Sequence, residues 1–216
     1  MIKYANINKK YSKFDLQINE LILDSPVTAI LGHVGSGKTT LLKTLIKANN
    51  GTYTTISNPV VIFKPDVSQV PNNSINVLMG FYSCFYKFDK DKAKRLLRQF
   101  NIDLYTKYNK HSYGQKDIIT IILTMCSEAD LYILDEPFSR IDPINRKLLT
   151  NLLVDEINDE SHILIASHEL PNIERLVDYI YLLKDGEVIS ERHIDELENE
   201  SSIKEWYREE YKKTSN

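Results

Sequence analysis

Val27-Thr28-Ala29-Ile30-Leu31-Gly32-His33-Val34-Gly35-Ser36-Gly37-Lys38-Thr39-Thr40 is the stretch on which the reading of this chain turns. Its first five residues form an apolar run of strand length. Beyond it, Leu41, Leu42, Leu45 and Ile46 repeat at helical spacing in a helix predicted over 38–50, with Gly51 as its stop. The glycine-rich turn between them fits the pattern Gly-x-x-x-x-Gly-Lys-Ser/Thr, in the strand-to-helix context that pattern requires. Glycines let successive backbone N–H groups converge on phosphate oxygens, and the helix start adds partial positive charge. Gly32, His33, Val34, Gly35, Ser36, Gly37, Lys38, Thr39 and Thr40 are therefore expected to hold nucleotide phosphates. Lys38 would reach the β and γ phosphates, and the Thr39 hydroxyl would ligate Mg²⁺.

Outward from this stretch, apolar runs at 60–63, 131–134 and 163–166 alternate with helical patterns and polar turns, the arrangement of an α/β domain with a largely parallel sheet. A second helix is predicted from Pro143, behind the capping residue Asp142, with Ile144, Leu148, Leu149, Leu152 and Leu153 in phase. Between 66 and 128 the strand signals vanish and helical ones take over, such as Ala93, Leu96, Leu97 and Phe100 over 92–100. A helical subdomain at 66–128 is thus expected within an α/β core made of 1–65 and 129–192. Residues 179–183 and 187–190 flank Lys184-Asp185-Gly186, a hairpin signal of the Asp-Gly type, and 193–216 reads as a polar helical tail.

With 216 residues, 42% of them hydrophobic, the chain can bury one good core but is short for two. A net charge of −3 argues against a broadly basic surface, and no nucleic-acid partner is expected. Cys84 and Cys126 lack metal-ligand spacing and read as buried, inert thiols. The first eleven residues lack the apolar core of a signal peptide, and the strongest apolar run, 118–126, is about half the ~20 residues that span a bilayer. Any membrane connection is expected to come through partners.

Leu131-Tyr132-Ile133-Leu134-Asp135-Glu136-Pro137 is a buried strand that ends in two carboxylates and is stopped by proline. Such a pair serves as a solvated turn in isolation. Beside a phosphate loop it gives Asp135 the role of holding Mg²⁺ and Glu136 that of general base toward the attacking water. Ile163-Leu164-Ile165-Ala166-Ser167 delivers His168 at its end. Parallel strands of one sheet end on the same side, so His168 should share the crevice of Gly32 and Asp135, within reach of the γ-phosphate.

The order of Gly32 to Thr39, His111-Ser112-Tyr113-Gly114-Gln115, Leu134-Asp135-Glu136-Pro137, Ser139-Arg140-Ile141-Asp142 and His168 resembles the ATPase subunits of ABC transporters along the whole chain. The resemblance implies a P-loop NTPase (RecA-like) core with N-terminal antiparallel β strands and an inserted helical subdomain. It implies ATP and Mg²⁺ as cofactors, and Tyr11 stacked on adenine. Two such subunits would close head to tail, with Ser112, Gly114 and Gln115 of one acting on the ATP held by the other. It also implies transmembrane permease subunits as partners and a peripheral place on the cytoplasmic face of the cell membrane. The chain is similar to exporter ATPases of the ABC-2 type, including those that move peptides, toxins or antimicrobials. A soluble ABC ATPase and a non-hydrolysing ATP-bound scaffold are the alternatives. The stretch from Thr39 to Ser112 is too short for the coiled coil of the repair and chromosome proteins, and Lys38, Asp135, Glu136 and His168 speak against the scaffold.

Several positions depart from the family pattern. Tyr113 stands where a glycine is usual and where the backbone is open to a positive φ, which favours a different ATPase subunit as the dimer partner over a second copy. Arg140 is atypical, and the arginine that often follows the signature is missing from Lys116-Asp117-Ile118. Asp66 takes the place of the glutamine that would ligate Mg²⁺ or its water, with Gln69 as the other candidate. In Phe81-Tyr82-Ser83-Cys84-Phe85-Tyr86-Lys87-Phe88, a core stripe accounts for Phe81, Phe85 and Phe88, and Tyr82 and Tyr86 are the better candidates for a groove facing the permease.

Overall fold

A computed structural model describes residues 1–47, 59–157, 161–168, 173–200 and 203–213. Strands β1 (Ile2–Tyr11) and β2 (Phe14–Leu23) form an antiparallel pair. The main sheet contains β3 (Val27–Leu31), β4 (Val61–Phe63), β5 (Leu131–Asp135), β6 (His162–Ser167), β7 (Tyr179–Lys184) and β8 (Glu187–His193). Its order is β4-β5-β6-β3-β7-β8, parallel throughout except for β8, which returns antiparallel to β7 through the two-residue turn Asp185-Gly186. Helix α1 (Lys38–Ile46) follows β3 and α5 (Pro143–Glu156) follows β5. Helices α2 (Ile75–Phe85), α3 (Lys90–Gln99) and α4 (Tyr113–Met125) occupy the middle of the chain, and α6 (Ile194–Glu200) and α7 (Ile203–Lys213) make the tail.

The central strands read as continuous apolar runs because both faces of the sheet are covered. Successive residues alternate between two cores, as the pleat demands. Tyr132, Leu134, Ile163, Ile165, Ile180 and Leu182 face a core shared with α2, α3, α4, α5 and the tail residue Trp206. Ile133, Leu164, Ala166, Tyr181 and Leu183 face the other, with Leu41, Leu42 and Leu45 of α1 and the inner residues of β1 and β2. The middle of the chain is helical as expected, yet its helices pack into the first of these two cores.

Four expectations change. Helix α1 ends at Ile46, where Lys47 caps it, rather than running to residue 50, and Gly51 lies outside the described residues. Ile144 is 83% exposed, because the first turn of α5 projects past the core that takes Leu149, Leu152 and Leu153. Cys126 is buried as expected but Cys84 is exposed. Finally, the apolar stripe of α2 is Ile75, Leu78, Met79 and Tyr82, at i, i+3, i+4 and i+7. Phe81 and Phe85 fall out of phase and stand 45% and 79% exposed, while Tyr82 and Tyr86 pack against the core.

Candidate active site

The sheet order places β5, β6 and β3 side by side, so the loops after them open into one crevice. After β3 the chain turns back through Gly35 and Gly37, both left-handed with φ of 90° and 108°, conformations that exclude most side chains. Lys38 begins α1 with its side chain almost fully buried. Its ammonium donates to the carbonyls of Gly32 (2.7 Å) and His33 (3.0 Å) and lies 3.9 Å from Glu136 Oε1. Burial pushes its pKa below the ordinary lysine value, opposed by the charges of Glu136 and Asp135.

Thr39 Oγ1 donates to Asp135 Oδ2 at 2.8 Å, joining the start of α1 to the end of β5. Asp135 Oδ1 is buried with no hydrogen-bond partner among the described residues. An orphaned carboxylate oxygen beside a threonine hydroxyl is a donor set suited to a hard cation such as Mg²⁺, which binds through one or two carboxylates together with substrate phosphates. No group of three or more His, Cys, Asp or Glu side chains able to hold a metal occurs among the described residues.

Glu136 has φ of 44°, a strained conformation for a non-glycine residue, held by its N–H donating to Ala166 O at 2.9 Å. That kink turns its side chain to β6, where His168 Nδ1 lies 2.7 Å from Oε1 and Ser167 Oγ 3.4 Å from Oε2. Lys38, Thr39, Asp135, Glu136 and His168 are thus brought together, as their motifs imply.

Other residues lie apart from this cluster. Tyr11 ends β1, half exposed, paired with Phe14, whose ring abuts Gly37 of the loop. Asp66 Oδ1 accepts from Ser68 N (2.8 Å) and Oγ (2.6 Å), bonds that hold its pKa below the usual carboxylate value, and none of these goes to the phosphate loop. Ser112 caps α4. Its Oγ accepts from Gln115 N at 3.2 Å and its N–H donates to Gln115 Oε1 at 3.0 Å, so the signature is also a capping box. Gly114 must remain glycine whatever it binds, since a Cβ there would lie 2.7 Å from Arg140 O. Tyr113 is the first helical residue and has no positive φ, so the backbone strain anticipated there is absent. Its ring projects 64% exposed, with Lys116 Nζ 5.0 Å and Arg140 Cζ 5.7 Å from its centroid.

Two networks escaped the sequence reading. Asp117 of α4 is 0% exposed and receives Lys64 Nζ (2.9 Å), Arg140 Nε (2.8 Å) and Arg140 Nη2 (3.1 Å). The two odd positions noted beside the signature and after β5 therefore answer each other. The second is Tyr211 of α7, whose hydroxyl reaches the loop at His33. The spacing of Ile203, Trp206 and Tyr211 within the polar tail was the available signal for a docked helix. Beside α2, an apolar groove of about 460 Å³ is lined by Gln69, Val70, Phe81, Tyr82, Phe85 and Leu123 among others, so of the two tyrosines expected at a groove Tyr82 lines it while also packing on the core, and Tyr86 is not in the lining.

Comparison with known proteins accords with this geometry. Residues 17–139 match the profile of the ABC transporter family. The ABC transporter ATP-binding protein YtrB of Bacillus subtilis is 32% identical over 194 residues, covering 81% of this chain, which spans 65% of that relative's length. An energy-coupling factor transporter ATP-binding protein of Staphylococcus aureus is 25% identical over 243 residues, with 96% of this chain and 85% of the relative covered. Among solved structures, an ATP-binding subunit of an ABC transporter superposes with a TM-score of 0.83 at 21% identity, covering 98% of this chain and 99% of that one. With the profile matching more than half of its length, the chain belongs to the ABC transporter family and folds as that family's ATP-binding cassette.

Proposed function

We propose that this chain binds and hydrolyses ATP to drive transport through separate transmembrane permease subunits, from the cytoplasmic face of the membrane. The observation that carries the reading is the convergence of Lys38, Thr39, Asp135, Glu136 and His168 on one crevice. ATP enters over Gly35 to Thr39, with Tyr11 against the base. Lys38, with two of its N–H groups held by the Gly32 and His33 carbonyls, turns the third to phosphate oxygens, which favours the charged form that burial opposes. Thr39 and Asp135 would hold Mg²⁺, which would supply charge neutralisation to the transferred phosphoryl group, and Asp66 or Gln69 would bind its water shell. Glu136 accepts the proton of the attacking water, and His168 keeps the carboxylate aimed at it.

The signature face, with Ser112 and Tyr113 exposed and Gly114 and Gln115 partly so, would meet ATP bound by a second ATPase subunit. The bulk of Tyr113 there favours a different subunit over a second copy. The groove beside α2 would receive a helix of the permease, with Phe81 and Phe85 as its contacts. Among the described residues no helix is long and apolar enough to cross a membrane, so the transport path is assigned to those partners. The cargo we assign is a peptide, toxin or antimicrobial moved outward, by analogy with similar small exporter ATPases. The energy-coupling factor relative supports a second reading, service to a transporter of that kind, and the membrane protein that copurifies decides between them.

The test is phosphate release by the assembled transporter. Glu136→Gln is expected to lower turnover by roughly 10² to 10⁴ while ATP still binds. Parental turnover in that variant, with the partners present, removes Glu136 from the chemistry.

A further inference from the structure

The peptide unit between Gly32 and His33 is held from both sides. Its carbonyl accepts the Lys38 ammonium at 2.7 Å. Its N–H donates to Tyr211 Oη at 3.1 Å, and Tyr211 Oη in turn donates to Leu183 O at 3.0 Å. A trans peptide is planar, with its C=O and N–H pointing in opposite directions. Fixing the N–H of this unit therefore also fixes the direction in which its carbonyl meets Lys38.

The hydroxyl is itself well anchored. Helix α7 buries Ile203 and Trp206 in the main core, so the position of Tyr211 follows from tail packing. The Tyr211 ring lies 4.9 Å from that of Tyr207 and 5.8 Å from that of His33, and Lys184 Nζ is 5.8 Å from its centroid. Asp185 Oδ1 lies 3.9 Å from His33 Nε2 on the same side. Burial raises the phenol above its ordinary pKa, so the proton given to Leu183 stays in place over the whole working pH range.

We propose that Tyr211 is a positioning residue for the phosphate-binding lysine: the C-terminal helix orients the Gly32–His33 peptide through the Tyr211 hydroxyl, and that peptide presets Lys38 for the outer phosphates of ATP. The inference rests on the nucleotide site proposed above and adds to it a contribution from the tail. A packing role for Tyr211 would show in folding stability alone. A positioning role shows in nucleotide affinity.

The experiment compares the parental chain with Tyr211→Phe, which keeps the ring and removes one oxygen. Equilibrium binding of ATP with Mg²⁺ is measured for both, together with hydrogen exchange over residues 32–38 and thermal unfolding without nucleotide. The expected result is ATP binding weakened roughly 2- to 10-fold, the worth of one ordinary hydrogen bond. Exchange at the His33 amide should be faster, since its acceptor is gone, and in the turnover assay the change should fall on KM more than on kcat. Unchanged ATP affinity in Tyr211→Phe overturns the proposal, as does faster exchange at 32–38 with no change in affinity. Failure of the parental chain itself to bind ATP, with Lys38→Ala indistinguishable from it, overturns the nucleotide site and the proposal with it. Should Tyr211→Phe unfold, Tyr211→Trp is measured instead, and retention of parental affinity by that folded variant overturns the proposal.

Discussion

Asp117→Asn is the substitution that most directly tests how the signature helix is held. The Asp117 carboxylate has no solvent access and is met by two cations from distant segments: Lys64, 4% exposed, at the end of β4, and Arg140, in the loop after β5. Replacement by the isosteric amide keeps the shape and leaves the Lys64 ammonium buried beside a neutral group. Removing one partner of a buried pair costs about 3–5 kcal/mol, most of it the uncompensated charge that remains. Against a total stability of about 5–15 kcal/mol, that is a large share. For a chain of this size, about 2–4 °C of melting temperature is lost per kcal/mol, giving a fall of about 6–20 °C. Arg140→Ala should cost less, about 1–2 kcal/mol, because the arginine side chain is 44% exposed and Lys64 still neutralises the acid. Thermal and urea unfolding of the nucleotide-free protein measure both. Lys64→Met, Asp117→Leu and Arg140→Met combined should recover most of the loss, since no buried charge is then left unpaired. A loss below about 1 kcal/mol in Asp117→Asn, or a larger loss in Arg140→Ala, would refute the reasoning.

Two further outcomes follow from exposed aromatics. Tyr113 has ordinary helical backbone, so its effect on pairing is one of bulk: the Glu136→Gln protein with ATP and Mg²⁺ should sediment mainly as a monomer, and Tyr113→Gly should shift it toward dimer. A tight symmetric dimer with Tyr113 intact would defeat the preference for a different partner subunit. Phe85, 79% exposed beside the apolar groove, can change to Ser with stability altered by less than about 0.5 kcal/mol, and copurification with the permease should then fall. Undiminished copurification of a Phe81→Ser, Phe85→Ser protein would place the permease contact elsewhere.

The crevice was legible because its residues sit at the ends of strands whose apolar runs announce them. A largely apolar run of five residues, a glycine turn and a leucine-spaced helix leave little freedom for where Lys38 and Thr39 stand, and Asp135 and Glu136 follow their strand in the same way. The orientation of α2 was not legible from 81–88 alone: an eight-residue aromatic pattern is compatible with several helical phases, and the phase is set upstream by Ile75, Leu78 and Met79. Nor could the partners of Asp117 be read, since Lys64, Asp117 and Arg140 meet only through tertiary packing and no local periodicity links them. Tyr211 was hidden for the same reason, at 178 residues from the His33 amide it receives.

The unequal burial of the two cysteines has a practical chemical consequence. The nucleophile in thiol alkylation is the thiolate, and burial pushes the Cys126 thiol up to about 12 and keeps it inside a core that reagents do not enter. Cys84 stands on the outer surface of α2, between Phe81 and Phe85. The unmodified chain therefore has one site for a maleimide dye or spin label, on the helix that flanks the apolar groove, and docking of a membrane partner there would be reported by that probe without any engineered residue.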